Sequence, residues 1–161
     1  MYERILVPTD GSNVAEFAVD SAVDLAEKYG AEVHALYVAD TDAVAYSLGT
    51  EQVDRIRQGD FQGMTELRDD AESATEYVKE QAEGRSLTVV ERHAGGQPHR
   101  MIADYAEDND IDLIVMGSHG RSGVRRALLG SVTERVLRST HTPVLVVDYE
   151  DSDDRTANAQ D

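Results

Sequence analysis

Residues 116–134, MGSHGRSGVRRALLGSVTE, hold four glycines, three arginines and one acid in a chain of formal net charge −17. Glycine lets backbone N–H groups approach a ligand closely. Arginine supplies a permanent positive charge and a rigid fork of donors. Together they suit an anion, and phosphate is the anion that glycine loops leading into helices hold. The spacing is Gly117-x-x-Gly120, nine residues, then Gly130-Ser131. A Walker loop ends in Gly-Lys-Ser/Thr, and the two lysines, Lys28 and Lys79, lie far away in the sequence. The dinucleotide fingerprint Gly-x-Gly-x-x-Gly does not occur either. Ser131 is followed three residues on by Glu134, the form of a capping box. Ser131 is therefore expected to cap the next helix, whose N–H groups and positive dipole end would face the loop. Its hydroxyl is also a possible proton donor to phosphate.

The loop needs elements to hold it. RILVP at 4–8 has the form of a short buried strand. Apolar positions Val14, Ala18, Ala22, Leu25 and Tyr29 predict a helix over 13–29, stopped by Gly30. AEVHALYVAD is a second strand, and residues 40–60 are expected to be a loop or a partly helical excursion. Leu67, Ala71, Ala74 and Val78 put one apolar face on a helix over 61–83, ended by Gly84. SLTVVERH is a third strand, and GGQPHRMIADYAEDN a turn and short helix. IDLIVMG, apolar on both faces, has the character of a central parallel strand. A helix near 132–139 and the strand TPVLVV follow. Strands alternating with helices predict an α/β fold with a doubly wound parallel sheet, helices on both faces and a ligand site at the carboxyl ends of the strands.

The 161 residues predict one domain. Cysteine is absent, which excludes disulfides, thiolate metal sites and a cysteine nucleophile. The five histidines show no metal-ligand spacing. Neither a signal peptide nor a bilayer-length apolar run is visible, and a cytoplasmic setting is expected. The chain has 32 acids against 15 bases, a balance suited to concentrated salt, so a halophilic source is expected. That charge argues against nucleic acid as a partner. Residues 117–141 run the other way, with five arginines against one glutamate, a net of +4, so the remainder carries −21.

ILVPTDGS at 5–12, GSHGRSGVRRALLGS at 117–131 and HTPVLVV at 141–147 carry a resemblance to the universal stress protein family, in its ATP-binding branch. The family's motif is Gly-x-x-Gly, nine residues, Gly-Ser/Thr, and every fixed position is met. The resemblance covers residues 1–148 and leaves 149–161 as an acidic tail expected to be disordered. It implies a five-stranded sheet of order 3-2-1-4-5, like the adenine nucleotide alpha hydrolases. It also implies ATP, with Mg²⁺ or Mn²⁺ accompanying the phosphates. Pro8, Thr9 and Asp10 would lie near adenine and ribose, and Val38 would flank the base. Met116 and Gly117 would border the sugar, while Gly120, Gly130, Ser131 and Val132 would hold the phosphates. Ser118, His119, Arg121 and Thr133 fall inside the same frame. A homodimer joined through residues 143–147 is implied as well.

Plainer roles stand beside these. The glycines could serve only a turn, and Asp10 could cap the first helix or hold a divalent ion. The leading expectation is a nucleotide-dependent stress-response or signalling module whose protein partner the sequence does not identify. An ATP-hydrolysing or nucleotide-transferring enzyme on the same fold is the alternative, though no base or water-positioning residue can be named. A dimerisation module with an empty cleft would be favoured by bulky residues at the motif glycines, and none is replaced.

Overall fold

The computed structural model describes residues 1–119 and 129–148. The expected disorder of 149–161 lies outside the described residues. The elements run β1 Arg4–Pro8, α1 Asn13–Tyr29, β2 Glu32–Asp40, α2 Thr41–Val44, α3 Thr50–Arg57, α4 Thr65–Glu83, β3 Val89–Gly96, α5 Pro98–Asp108, β4 Leu113–Gly117, α6 Ser131–Ser139 and β5 Val144–Val147. All five strands are parallel, in the order β3-β2-β1-β4-β5 that the resemblance implied.

Alternation of side chains along the strands divides the core between the two faces of the sheet. Ile5 and Val7 of β1, Val33 and Ala35 of β2, and Leu113 and Val115 of β4 pack beneath α1 and α4. Leu6, Leu36, Ile114 and Met116 point the other way, onto Ile102 and Ala106 of α5 and Val136 of α6. Each fully buried Val, Leu or Ile contributes roughly 1.5–3 kcal/mol through burial, so both helical layers are firmly attached to the sheet. A third cluster joins Tyr37 and Ala39 of β2 to Ile56 of α3, Phe61, and Ala71 and Ala74 of α4.

Helix α1 forms as its sequence signals suggest, with one shift of face. The Ser12 side chain caps it, accepting from Ala15 N–H, and Gly30 ends it in the left-handed region at φ 68°. The buried stripe is Val14, Ala15, Ala18, Val19, Ala22, Val23 and Ala26. Leu25 is only partly buried, and Tyr29 is exposed against the ring of Tyr2. Helix α4 ends at Glu83 with Gly84 as its C-cap, as expected, but without a left-handed glycine. Gly84 stays right-handed at φ −58°, and Ser86 takes the positive φ of 60°.

Tertiary contacts move other boundaries. Residues 40–60 contain two helices, α2 and α3. Helix α3 lies so close to β3 that a Cβ on Gly95 would overlap the carbonyl oxygen of Ile56. Strand β3 accordingly continues past His93 to Gly96, paired with β2 through Asp40. Strand β4 starts at Leu113 because the Asp112 carboxylate turns to the start of β1, accepting from Glu3 N–H at 2.8 Å and Arg4 N–H at 3.0 Å. His34, buried on β2, lies 2.7 Å from Glu32 Oε1 and 2.7 Å from the Tyr105 hydroxyl. Burial pushes the Tyr105 phenol above its ordinary pKa, which keeps its proton available to the ring. His93 stacks on Phe61 and meets the Thr75 hydroxyl at 2.9 Å. Both histidines have packing roles.

Candidate functional site

The winding reverses between β1 and β4. These strands are neighbours, with Leu6 opposite Ile114, yet β1 leads toward β2 and β3 while β4 leads to β5. Their carboxyl ends and the segments that follow flank one cleft, the usual ligand position in such sheets.

On the β1 side, Pro8 closes the strand and Thr9 N–H bonds Leu36 O on β2 at 2.9 Å. The Thr9 hydroxyl accepts from Gly11 N–H at 3.2 Å, and an Asp10 carboxylate oxygen accepts from Ser12 N–H at 2.9 Å. The cap of α1 is Ser12, so Asp10 shapes the turn before the helix and does not cap it. Val38, near the end of β2, packs against the cluster that contains Met116. Val38 and Met116, two of the residues expected to flank base and sugar, therefore belong to one apolar group.

On the β4 side, three neighbours hold the backbone of Gly117–His119. The Thr133 hydroxyl donates to Gly117 O at 2.9 Å. Gly130 N–H donates to Ser118 O at 2.7 Å, and Ser118 N–H donates to Val147 O at 2.8 Å. A Cβ on Gly117 would overlap the Val14 side chain, so α1 abuts the end of β4 directly. Gly130 is equally confined, since a Cβ there would stand 2.9 Å from His119 Cα. Its own φ of −60° is open to any residue, so close approach and not backbone conformation calls for glycine.

That approach corrects the expected cap. Gly130 occupies the N-cap of α6 without a side-chain bond, and Ser131 is the first helical residue. Glu134 instead reaches Arg138 at 2.8 Å. The bond from Gly130 to Ser118 turns the chain one residue earlier than the local pattern predicts. Ser131 is exposed at the helix start, where its hydroxyl is not engaged in capping. The first N–H groups of α6, from Ser131, Val132 and Thr133, have no intrahelical partners by helix geometry, and with the dipole they favour an anion.

Ser118 and Thr133 are buried, at 7% and 3% exposure, and both hydroxyl protons go to the protein. Their side chains thus hold the loop's two ends together. Gly120 and Arg121, with Gly123, Arg125 and Arg126, lie outside the described residues. Asp148 has no counterpart among the expected site residues, yet its carboxylate accepts from the Ser118 hydroxyl at 2.7 Å. No local signal could have found it, because the contact spans 30 positions. Among the described residues, no three His, Asp or Glu side chains converge to hold a metal. A separate groove of about 620 Å³ lies between α4 and the edge of β3, lined by Glu72, Thr75, Glu91 and His93 among others. It lies on the opposite side of the sheet from β5 and is no part of this cleft. Among the described residues, no helix is long and apolar enough to cross a membrane.

A five-stranded parallel sheet of order β3-β2-β1-β4-β5 with helices on both faces defines the class, a doubly wound α/β protein. Within that class the chain belongs to the universal stress protein family, whose sequence profile matches residues 1–148. It is 37% identical over 148 residues to universal stress protein MJ0531 of Methanocaldococcus jannaschii, covering 91% of this chain and 82% of that protein. Universal stress protein MJ0577 of the same organism is 33% identical over 159 residues, covering 94% and 98%. The solved structure of MJ0577 superposes with a TM-score of 0.75 over 94% of this chain and 99% of its own. A universal stress protein solved in complex with cAMP is 25% identical, with a TM-score of 0.60 and coverage of 91% and 97%.

Proposed function

We propose that the chain binds ATP in the cleft between β1 and β4 and acts as a nucleotide-dependent stress-response or signalling module. One observation carries this reading. The anchored ends of the glycine loop, Gly117–His119 and Gly130, meet at the open N-terminus of α6, beside the end of β1. Pro8, Thr9, Asp10 and Val38 receive adenine and ribose, Met116 and Gly117 border the sugar, and Gly120, Gly130, Ser131 and Val132 hold the phosphates. Arg121 adds positive charge, and Mg²⁺ or Mn²⁺ accompanies the phosphates. The cAMP-bound relative supports an adenine nucleotide as the class of ligand. The test is to denature purified protein and identify any released nucleotide by chromatography and mass. Released ATP, or saturable ATP binding by nucleotide-free protein, is expected. Protein that neither carries nor binds an adenine nucleotide overturns the reading, and released ADP with turnover of added ATP replaces it with an ATPase.

The reading includes a cytoplasmic homodimer. Strand β5 is a sheet edge, with Leu145 at 38% exposure and Leu137 of the adjacent α6 at 41%. An apolar edge invites pairing with its twin about a twofold axis. Light scattering at micromolar protein is expected to give twice the chain mass, and a strictly monomeric mass sinks the dimer. The charge of −17 makes a salt-rich setting part of the same reading. Melting temperature should rise from dilute to molar KCl as repulsion is screened, and equal values would remove that part.

A further inference from the structure

We propose that Ser118 and Asp148 are positioning residues which set the tautomer of His119 and thereby make its ring a reader of the nucleotide's ribose. The inference rests on the nucleotide-binding reading above. The end of β5 and the residue after it grip Ser118 twice, through Val147 O on its N–H at 2.8 Å and through Asp148 Oδ1 on its hydroxyl at 2.7 Å. His119 Nδ1 lies 3.0 Å from the same hydroxyl oxygen. A hydroxyl has one proton to donate, and an ionised carboxylate can only accept. The Ser118 proton therefore goes to Asp148, and the Ser118 oxygen accepts from His119. Nδ1 must carry the ring's proton, which leaves Nε2 of the neutral ring as an acceptor.

That assignment selects a ligand group. His119 follows Gly117, placed at the sugar, and its Cα lies against Gly130, placed at the phosphates. Phosphate oxygens are acceptors and gain nothing from a bare Nε2, whereas a ribose hydroxyl can donate to it. Asp148 thus acts on the ligand through two other side chains without touching it. Removing the carboxylate frees the Ser118 proton to turn toward Nδ1, which moves the ring's own proton to Nε2; the ring then donates there, to a phosphate oxygen as readily as to a hydroxyl, and its selectivity for the hydroxyl is lost. An asparagine at 148 keeps an accepting oxygen and should preserve it.

The tautomer is read by long-range ¹H–¹⁵N NMR on ligand-free protein in mildly alkaline buffer, where imidazole is neutral. The wild type and Asp148→Asn are expected to show Nδ1–H, and Asp148→Ala to show Nε2–H. Calorimetry should then find ATP bound about five- to tenfold tighter than 2′,3′-dideoxy-ATP, the scale of one lost hydrogen bond. The ratio should fall toward one in His119→Phe and keep its wild-type value in Asp148→Asn. An Nε2–H ring in the wild type overturns the proposal. Equal wild-type affinity for the two nucleotides, or a ratio unaffected by His119→Phe, also overturns it while the nucleotide reading stands. If the wild type binds neither nucleotide, that reading falls and takes this inference with it, and the ligand-free spectrum still reports whether the relay forms.

Discussion

Gly130→Val is expected to abolish ATP binding, by a factor of about one hundred or more, while the circular dichroism spectrum stays native. The factor reflects two losses that act together: the glycine's place at the phosphates and the hydrogen bond that closes the loop, each worth about 1–3 kcal/mol when a charged ligand is involved. A Cβ at Gly130 meets His119 Cα at 2.9 Å and Ser118 O at 3.4 Å. Both neighbours are part of the loop's other end, so the two ends must separate. The 2.7 Å bond from Gly130 N–H to Ser118 O is strained or broken, and the start of α6 moves off the cleft. Most of the buried core lies elsewhere, on β1, β2, β4 and the faces of α1, α4 and α5, and the fully buried residue of α6, Val136, is more than a turn beyond Gly130. Overpacking of this kind costs about 1–3 kcal/mol, which a folded domain can absorb. A folded variant that binds ATP with wild-type affinity would falsify the assignment of this loop to the phosphates. If the variant instead unfolds, Gly130→Ala tests the same contact with less added volume.

Gly95→Ala is expected to destabilise the fold by about 2–3 kcal/mol, the upper range for forcing extra volume into a packed site. The built Cβ overlaps the Ile56 carbonyl, which is backbone and cannot rotate away. Helix α3 must lift from β3, and with it Ile56, a fully buried member of the cluster formed with Tyr37, Phe61, Ala71 and Ala74. Urea unfolding measures the loss as a lower midpoint at unchanged slope. A midpoint equal to the wild type would show that α3 does not pack on β3 in solution. The cleft at β1 and β4 lies on other strands, so nucleotide affinity should survive where the variant remains folded.

Local pattern alone was enough to determine the α/β class. Apolar runs such as IDLIVM, separated by helical spacings and glycine stops, can bury their surface only in a covered parallel sheet. Gly30 and the first part of the α1 stripe, Val14, Ala18 and Ala22, were legible for the same reason, because capping and periodicity act within a few residues, while Leu25 and Tyr29 fall off the buried face. The loop spacing from Gly117 to Gly130 is what the proposed phosphate site starts from, and it is read from the sequence alone. Tertiary structure decided the rest. Ser131 and Glu134 form a sound local capping signal, yet a bond from Gly130 to Ser118 across the loop outweighs it and moves the cap by one residue. Residues 40–60 have no strong period of their own, and they settle as α2 and α3 where Gly95 lets a helix approach the sheet. Asp148 looks like the first residue of an acidic tail, but the register of β5 against β4 brings it to Ser118. Such pairings join residues far apart in the chain, and the order and register of parallel strands, not neighbouring residues, choose the partners.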